Sequence, residues 1–235
     1  GTCALIPFFG GLSNTSLTAT LNEPLPEIVR KIDEFLEHED QPDYFLNQLR
    51  EKLKADGLKI HSNANQLYLT EPVHLKKIKK IYKYAAKKKM PILLHFDNSH
   101  RKFGEEDIKL FANKILTKIK PAKIQIAHFG TSGGFNAKTK RVIDAFIKQF
   151  ETNKKIRKHK ILFDISAVAL DKNSEGVSKL TDEEFAELAV YARKLGFDKI
   201  VFGTDYPLYS ADEYLKILKE RLKLTDAEIS QMLNN

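Results

Sequence analysis

Short apolar runs recur along this chain, separated by stretches of helical periodicity, in a strand–helix–strand rhythm of roughly 30 to 40 residues. Six such runs are readable, at 3–9, 57–61, 91–96, 123–128, 160–166 and 199–203. Strands that are apolar almost throughout cannot lie on a one-sided sheet. They require helices packed over a parallel sheet. The expected class is therefore α/β, either as an open sheet or as most of an eight-stranded (β/α)8 barrel.

The 235 residues fit one domain spanning 1–235, and an apolar fraction of 42% with 15 phenylalanines can fill a core. Cys3 is the sole cysteine. An internal disulfide and a cysteine-built zinc site are thereby excluded, which suits a reducing, cytoplasmic setting. No run is long enough to span a membrane, and no secretory signal opens the sequence given. The net charge of +8 comes mostly from lysine, whose densest run lies in the helix expected over 73–89. Such charge either solvates an outer helix face or steers anionic partners, and a nucleic-acid partner is not expected.

The helical pattern begins at Pro26, where Ile28, Ile32, Phe35 and Leu36 share a face, and a second helix is expected over about 42–54. Further helices are expected at 103–120, after 134, from the capping box Thr181–Glu184, at 211–222, and from a second box at Thr225–Glu228. Thr131-Ser132-Gly133-Gly134 is a glycine-rich turn that could cradle a phosphate, but it lacks the following Lys-Ser/Thr of a P-loop.

Chemistry is concentrated where the runs end. Pro91-Ile92-Leu93-Leu94-His95 and Lys123-Ile124-Gln125-Ile126-Ala127-His128 both close on histidine, and Lys199-Ile200-Val201-Phe202 runs into Gly203-Thr204-Asp205. In Gly57-Leu58-Lys59-Ile60-His61, alternation puts Lys59 and His61 on one face and Leu58 and Ile60 on the other. In a parallel barrel His95, His128 and Asp205 meet at one mouth. Two imidazoles and a carboxylate suit a divalent ion, or the carboxylate serves as a general base. Asp205 could instead cap the next helix, and His61 and Lys59 could be structural. Spacings of 33 and 77 residues form no local metal motif, so the inference rests on placement at strand ends.

Gly-Leu-Lys-Ile-His, Pro-Ile-Leu-Leu-His-Phe, Gln-Ile-Ala-His-Phe-Gly and Phe-Gly-Thr-Asp-Tyr-Pro, in this order, resemble strands four, five, six and eight of the amidohydrolase superfamily. The branch they most resemble is the amidohydrolase-2 group, which includes aminocarboxymuconate-semialdehyde decarboxylase. The resemblance implies that His95 and Asp205 ligate a metal, zinc first and manganese second. It implies catalytic roles for Asp205 and His128, and places Lys59, His61 and His128 on the substrate side. It further implies a metal-dependent hydrolase or decarboxylase that acts on a small anionic molecule through a metal-activated water. A homodimer is one assembly open to the chain. The family's strand-one His-X-His occurs nowhere in the chain. By this resemblance the first apolar run matches the third strand, and the barrel is expected to lack its first one or two βα units. A TatD-type deoxyribonuclease is the second reading, although residues 57–61 carry no Glu. A non-catalytic binding protein on the same fold is the third.

Overall fold

A computed structural model of the chain describes residues 57–174 and 176–235. The run at 3–9, the helix expected from Pro26 and the helix expected over 42–54 lie outside the described residues. Five strands follow: β1 (Leu58–His61), β2 (Ile92–His95), β3 (Lys123–Ile126), β4 (Lys160–Asp164) and β5 (Ile200–Val201). All pairings are parallel, and the strands lie side by side in chain order. That order runs one way, as in a barrel wall, without the reversal of a doubly wound sheet. Among the described residues no pairing joins β1 to β5, so the described sheet is open.

The two faces of the sheet are chemically different. Leu58, Ile60, Ile92, Leu94, Ile124, Ile126, Phe163 and Ile200 are buried against the helices. Those helices are α1 (Pro72–Lys87), α2 (Glu105–Leu110), α3 (Ala137–Thr152), α4 (Asp182–Leu195), α5 (Ala211–Glu220) and α6 (Asp226–Asn234). Their apolar stripes supply the facing layer, for example Ile78, Ile81 and Ala85 from α1, and Val142, Ile143 and Phe146 from α3. On the opposite face, register sets up rows across the sheet. Lys59 pairs with Leu93, Leu93 with Gln125, and Gln125 with Leu162. One step further along the strands, His61 pairs with His95, and Asp164 pairs with Val201. The polar row thus lies at the C-terminal edge.

Three boundaries differ from those the sequence predicts. The helix expected over 103–120 is broken: α2 gives way to a π turn at Phe111–Ile115 and a 3-10 turn at Leu116–Lys118. Ile108, Phe111, Ala112, Ile115, Leu116 and Ile119 are all buried, so the apolar period survives the change of winding. The run at 123–128 leaves the sheet at Ile126, because His128 and Phe129 adopt left-handed φ angles of 51° and 52°. The last run pairs over only two residues, Ile200 and Val201. The lysine-rich α1 packs Ile78, Ile81, Tyr82 and Ala85 inward and leaves Lys76, Lys79, Lys83 and Lys87 exposed.

Candidate active site

Parallel neighbours lie about 4.8 Å apart, so a register that pairs two histidines on one face stacks their rings. His61 and His95 do so, with centroids 3.9 Å apart and planes 13° from parallel. His128 meets His95 edge-on at 5.3 Å, 70° between planes. The turn Ala127–Gly130 after β3 brings it there, since its left-handed backbone folds the ring back toward the strand ends. The three sequence-predicted histidines therefore form one cluster at the C-terminal edge. The expectation that His128 ends a strand is corrected: it sits in the turn beyond.

The carboxylate that anchors this turn is not among the candidates the sequence singles out. Asp164, at the tip of β4 and 4% exposed, accepts from the His128 backbone N–H at 3.0 Å, from Gln125 Nε2 at 3.0 Å and from Ser166 Oγ at 2.5 Å. Ser166 Oγ in turn lies 2.9 Å from His128 Nδ1. A carboxylate ending the strand Lys160–Asp164 is the same kind of signal that marks Asp205, though the apolar run itself continues into Ile165. Gly203 explains how the next segment fits, because a Cβ there would stand 3.2 Å from Ser166 Cβ and 3.4 Å from Asp164 Cβ. The chain can then run on to Asp205. That residue lies four positions past β5 with φ 53°, its carbonyl accepting from Leu208 N at 2.9 Å. Asp205 is thus in a turn after the strand and caps no helix: the N-cap of α5 is Ser210.

Burial suppresses the charge of two of the clustered rings and of the lysine beside them. Burial holds His95 down to about 2, helped by the neighbouring His61 and His128 rings and by Lys59 and Lys138. Burial, then Lys59 and His128, lower His61 too. Lys59, one row below His61, is lowered by burial while the charges of Asp164 and Asp205 pull it back up. That opposing pull places both carboxylates in the field of Lys59. Lys138 is ion-paired with the buried Asp97, whose Oδ1 also accepts from Ser99 N at 2.8 Å. Ser132 Oγ lies 3.4 Å from His95 Nε2. The glycine turn around Ser132 serves the fold, since Gly134 N donates to the Ala167 carbonyl at 2.7 Å and this amide does not cradle a phosphate.

The donors fit a divalent ion in kind, for burial keeps His95 in the neutral form that a metal requires. Among the described residues, however, no three His, Cys, Asp or Glu side chains converge closely enough to enclose an ion unaided.

A parallel α/β sheet with its polar residues gathered at the strand C-termini belongs to the class whose sites are built at that edge, shared by α/β barrels and open α/β sheets. Residues 36–235 match the amidohydrolase family model Amidohydro_2, and the chain belongs to that family. No curated protein sequence matches the chain. Solved structures similar to it include 2,6-dihydroxybenzoate decarboxylase complexed with 2,6-dihydroxybenzoate, at 14% identity and TM-score 0.49. That likeness covers 84% of this chain and 65% of the other, so the chain spans just under two thirds of its length. The Rhizobium 2,6-dihydroxybenzoate decarboxylase is similar at 14% identity, TM-score 0.49, covering 88% and 74% of the two chains. A Polaromonas dihydroxybenzoic acid decarboxylase with bound manganese and 2-nitroresorcinol is similar at 13% identity, TM-score 0.48, covering 87% and 71%.

Proposed function

We propose that this chain is a metal-dependent hydrolase or decarboxylase that acts on a small anionic substrate at the edge carrying His61, His95, His128 and Asp205. The observation that carries the reading is the three-imidazole cluster, with His61 and His95 held below the ordinary imidazole pKa beside Lys59. Neutral imidazoles are useful as ligands, acceptors and donors, whereas charged ones would only repel one another. The chemistry that a divalent ion supplies when bound is Lewis acidity, which acidifies water and polarises a substrate oxygen. His95 and Asp205 hold that ion in this reading. His128 accepts a proton through the ring nitrogen turned away from Ser166, and Lys59 and His61 orient the anionic group of the substrate. Family membership supports the assignment.

The test begins with metal analysis of the purified full chain, expected to return about one divalent ion per chain. Turnover of small carboxylates, 2,6-dihydroxybenzoate among them, is then followed both as released CO2 and as hydrolysis product. His95→Ala and Asp205→Ala should lose the metal. His128→Ala should keep it and lower kcat by about 10²–10⁴-fold, the usual weight of a general acid–base group. A chain that holds no metal and turns over none of the panel would refute the reading. A binding protein on this fold is the second reading, favoured by the lack of three convergent ligands among the described residues.

A further inference from the structure

Each of the three clustered imidazoles has a ring nitrogen engaged, and at His128 and His61 the engagements are of opposite sense. His128 Nδ1 lies 3.0 Å from the Ser166 carbonyl oxygen, a group that can only accept. It also lies 2.9 Å from Ser166 Oγ. That hydroxyl donates its single proton to Asp164 Oδ1 at 2.5 Å, so it too meets Nδ1 as an acceptor. Two acceptors require a proton on Nδ1, and a neutral ring then carries its lone pair on Nε2. At His61 the Ala64 backbone N–H donates to Nδ1 at 3.2 Å. Its Nδ1 is therefore bare, and in the neutral ring Nε2 holds the proton.

We propose that the site works through two histidines locked in opposite tautomers, His128 as acceptor and His61 as hydrogen-bond donor, with Asp164 and Ser166 as positioning residues for His128. This rests on reading the cluster as the catalytic end of the fold. It divides the labour there: His128 Nε2 takes the proton given up by the water or substrate group beside it, while His61 Nε2–H holds an oxygen that bears negative charge. Asp164 acts twice on His128, through the backbone N–H that fixes the turn and through the Ser166 hydroxyl that it orients. Without Asp164, that hydroxyl is free to rotate and donate to Nδ1, which favours the other tautomer. Without the Ser166 hydroxyl, the carbonyl still accepts, and the tautomer is kept.

The experiment is long-range nitrogen–proton NMR of the ¹⁵N-histidine-labelled full chain at about pH 8, above the ordinary imidazole pKa. His128→Gln and His61→Gln assign the two rings. The expected result is protonated Nδ1 with bare Nε2 at His128, and the reverse at His61. Asp164→Ala should introduce the Nε2–H form at His128, and Ser166→Ala should not. Like tautomers in the wild-type chain would overturn the proposal, as would an Asp164→Ala spectrum unchanged at His128. Should Asp164→Ala fail to fold, the wild-type spectrum still decides the tautomers. No substrate is involved, so failure here is separable from a chain that lacks metal or turnover.

Discussion

Asp164 shows what one buried carboxylate can organise. Its two oxygens take a backbone N–H, an amide and a hydroxyl from three segments, β3, the turn after it, and the turn after β4. Removing it strands those donors in a buried place, where each unsatisfied group is costly. Asp164→Ala is expected to lower stability by about 2–4 kcal/mol, measured by urea unfolding with the slope checked for two-state behaviour. Gln125→Ala, which removes one donor and leaves the others paired, should cost less than half of that. His95, His61 and Lys59 are legible as site candidates because each interrupts or ends an apolar strand. Asp164 carries the same mark less visibly, since the run continues into Ile165 and Ser166 and has no clear stop. Asp97 and Lys138 leave no comparable mark, because 41 residues separate the two and only folding pairs them.

At the level of elements, the helix starts are the most legible. Thr181 and Glu184 exchange the two bonds of a capping box, Glu184 N to Thr181 Oγ1 at 3.2 Å and Thr181 N to Glu184 Oε2 at 2.8 Å. Thr225 and Glu228 repeat it. Thr181→Ala should therefore cost about 1 kcal/mol in thermal or urea unfolding. Turns are less legible, because their conformation depends on what they pack against. Gly130 ends the turn that carries His128, at φ +85°, and a Cβ there would come within 2.9 Å of Val142 Cγ1 on α3. Gly130→Ala is expected to destabilise the fold by about 1–3 kcal/mol and to disturb His128 along with it. A chain as stable as wild type, with an unshifted His128 resonance, would show that the turn tolerates a side chain. β5 pairs with β4 only at Ile200 and Val201, and just beyond it Gly203 lies so close to Asp164 and Ser166 that a side chain there would touch both.

Over the whole molecule, buried neutral histidines couple folding to pH. His61, His95 and the distant His159 all have lowered pKa values, burial being the first cause in each. His159 bridges Ala122 N and the Leu116 carbonyl at the opposite end of the sheet. In each case the unfolded chain binds a proton more readily than the folded one. Their contribution is therefore intact above the unfolded value near 6.5 and drains away as pH falls toward the folded values. Between about pH 6 and pH 4 the metal-free chain should lose at most about 1.4 kcal/mol per pH unit through His95. The half-buried His61 adds less because solvent screens it, and at His159 the bond to the Leu116 carbonyl opposes the lowering by burial. His159→Gln should flatten that slope without touching metal content, as followed by urea titrations across the range. Among the described residues no helix is long and apolar enough to cross a membrane.

The α/β class, the positions of most strands and helices, and the candidacy of His61, His95, His128 and Asp205 were all available from the sequence. Each depends on short-range pattern: period two, period 3.6, a cap, or a polar residue where an apolar run ends. What only the tertiary structure decided is which of those residues share a row. The His61–His95 stack follows from the register between β1 and β2. His128 reaches the cluster through a left-handed turn held by Asp164, 36 residues further on. The tautomers follow from a carbonyl and an amide that the folded backbone brings to the rings. Register and turn geometry are set by packing between segments distant in the chain, and no local pattern of residue types encodes them.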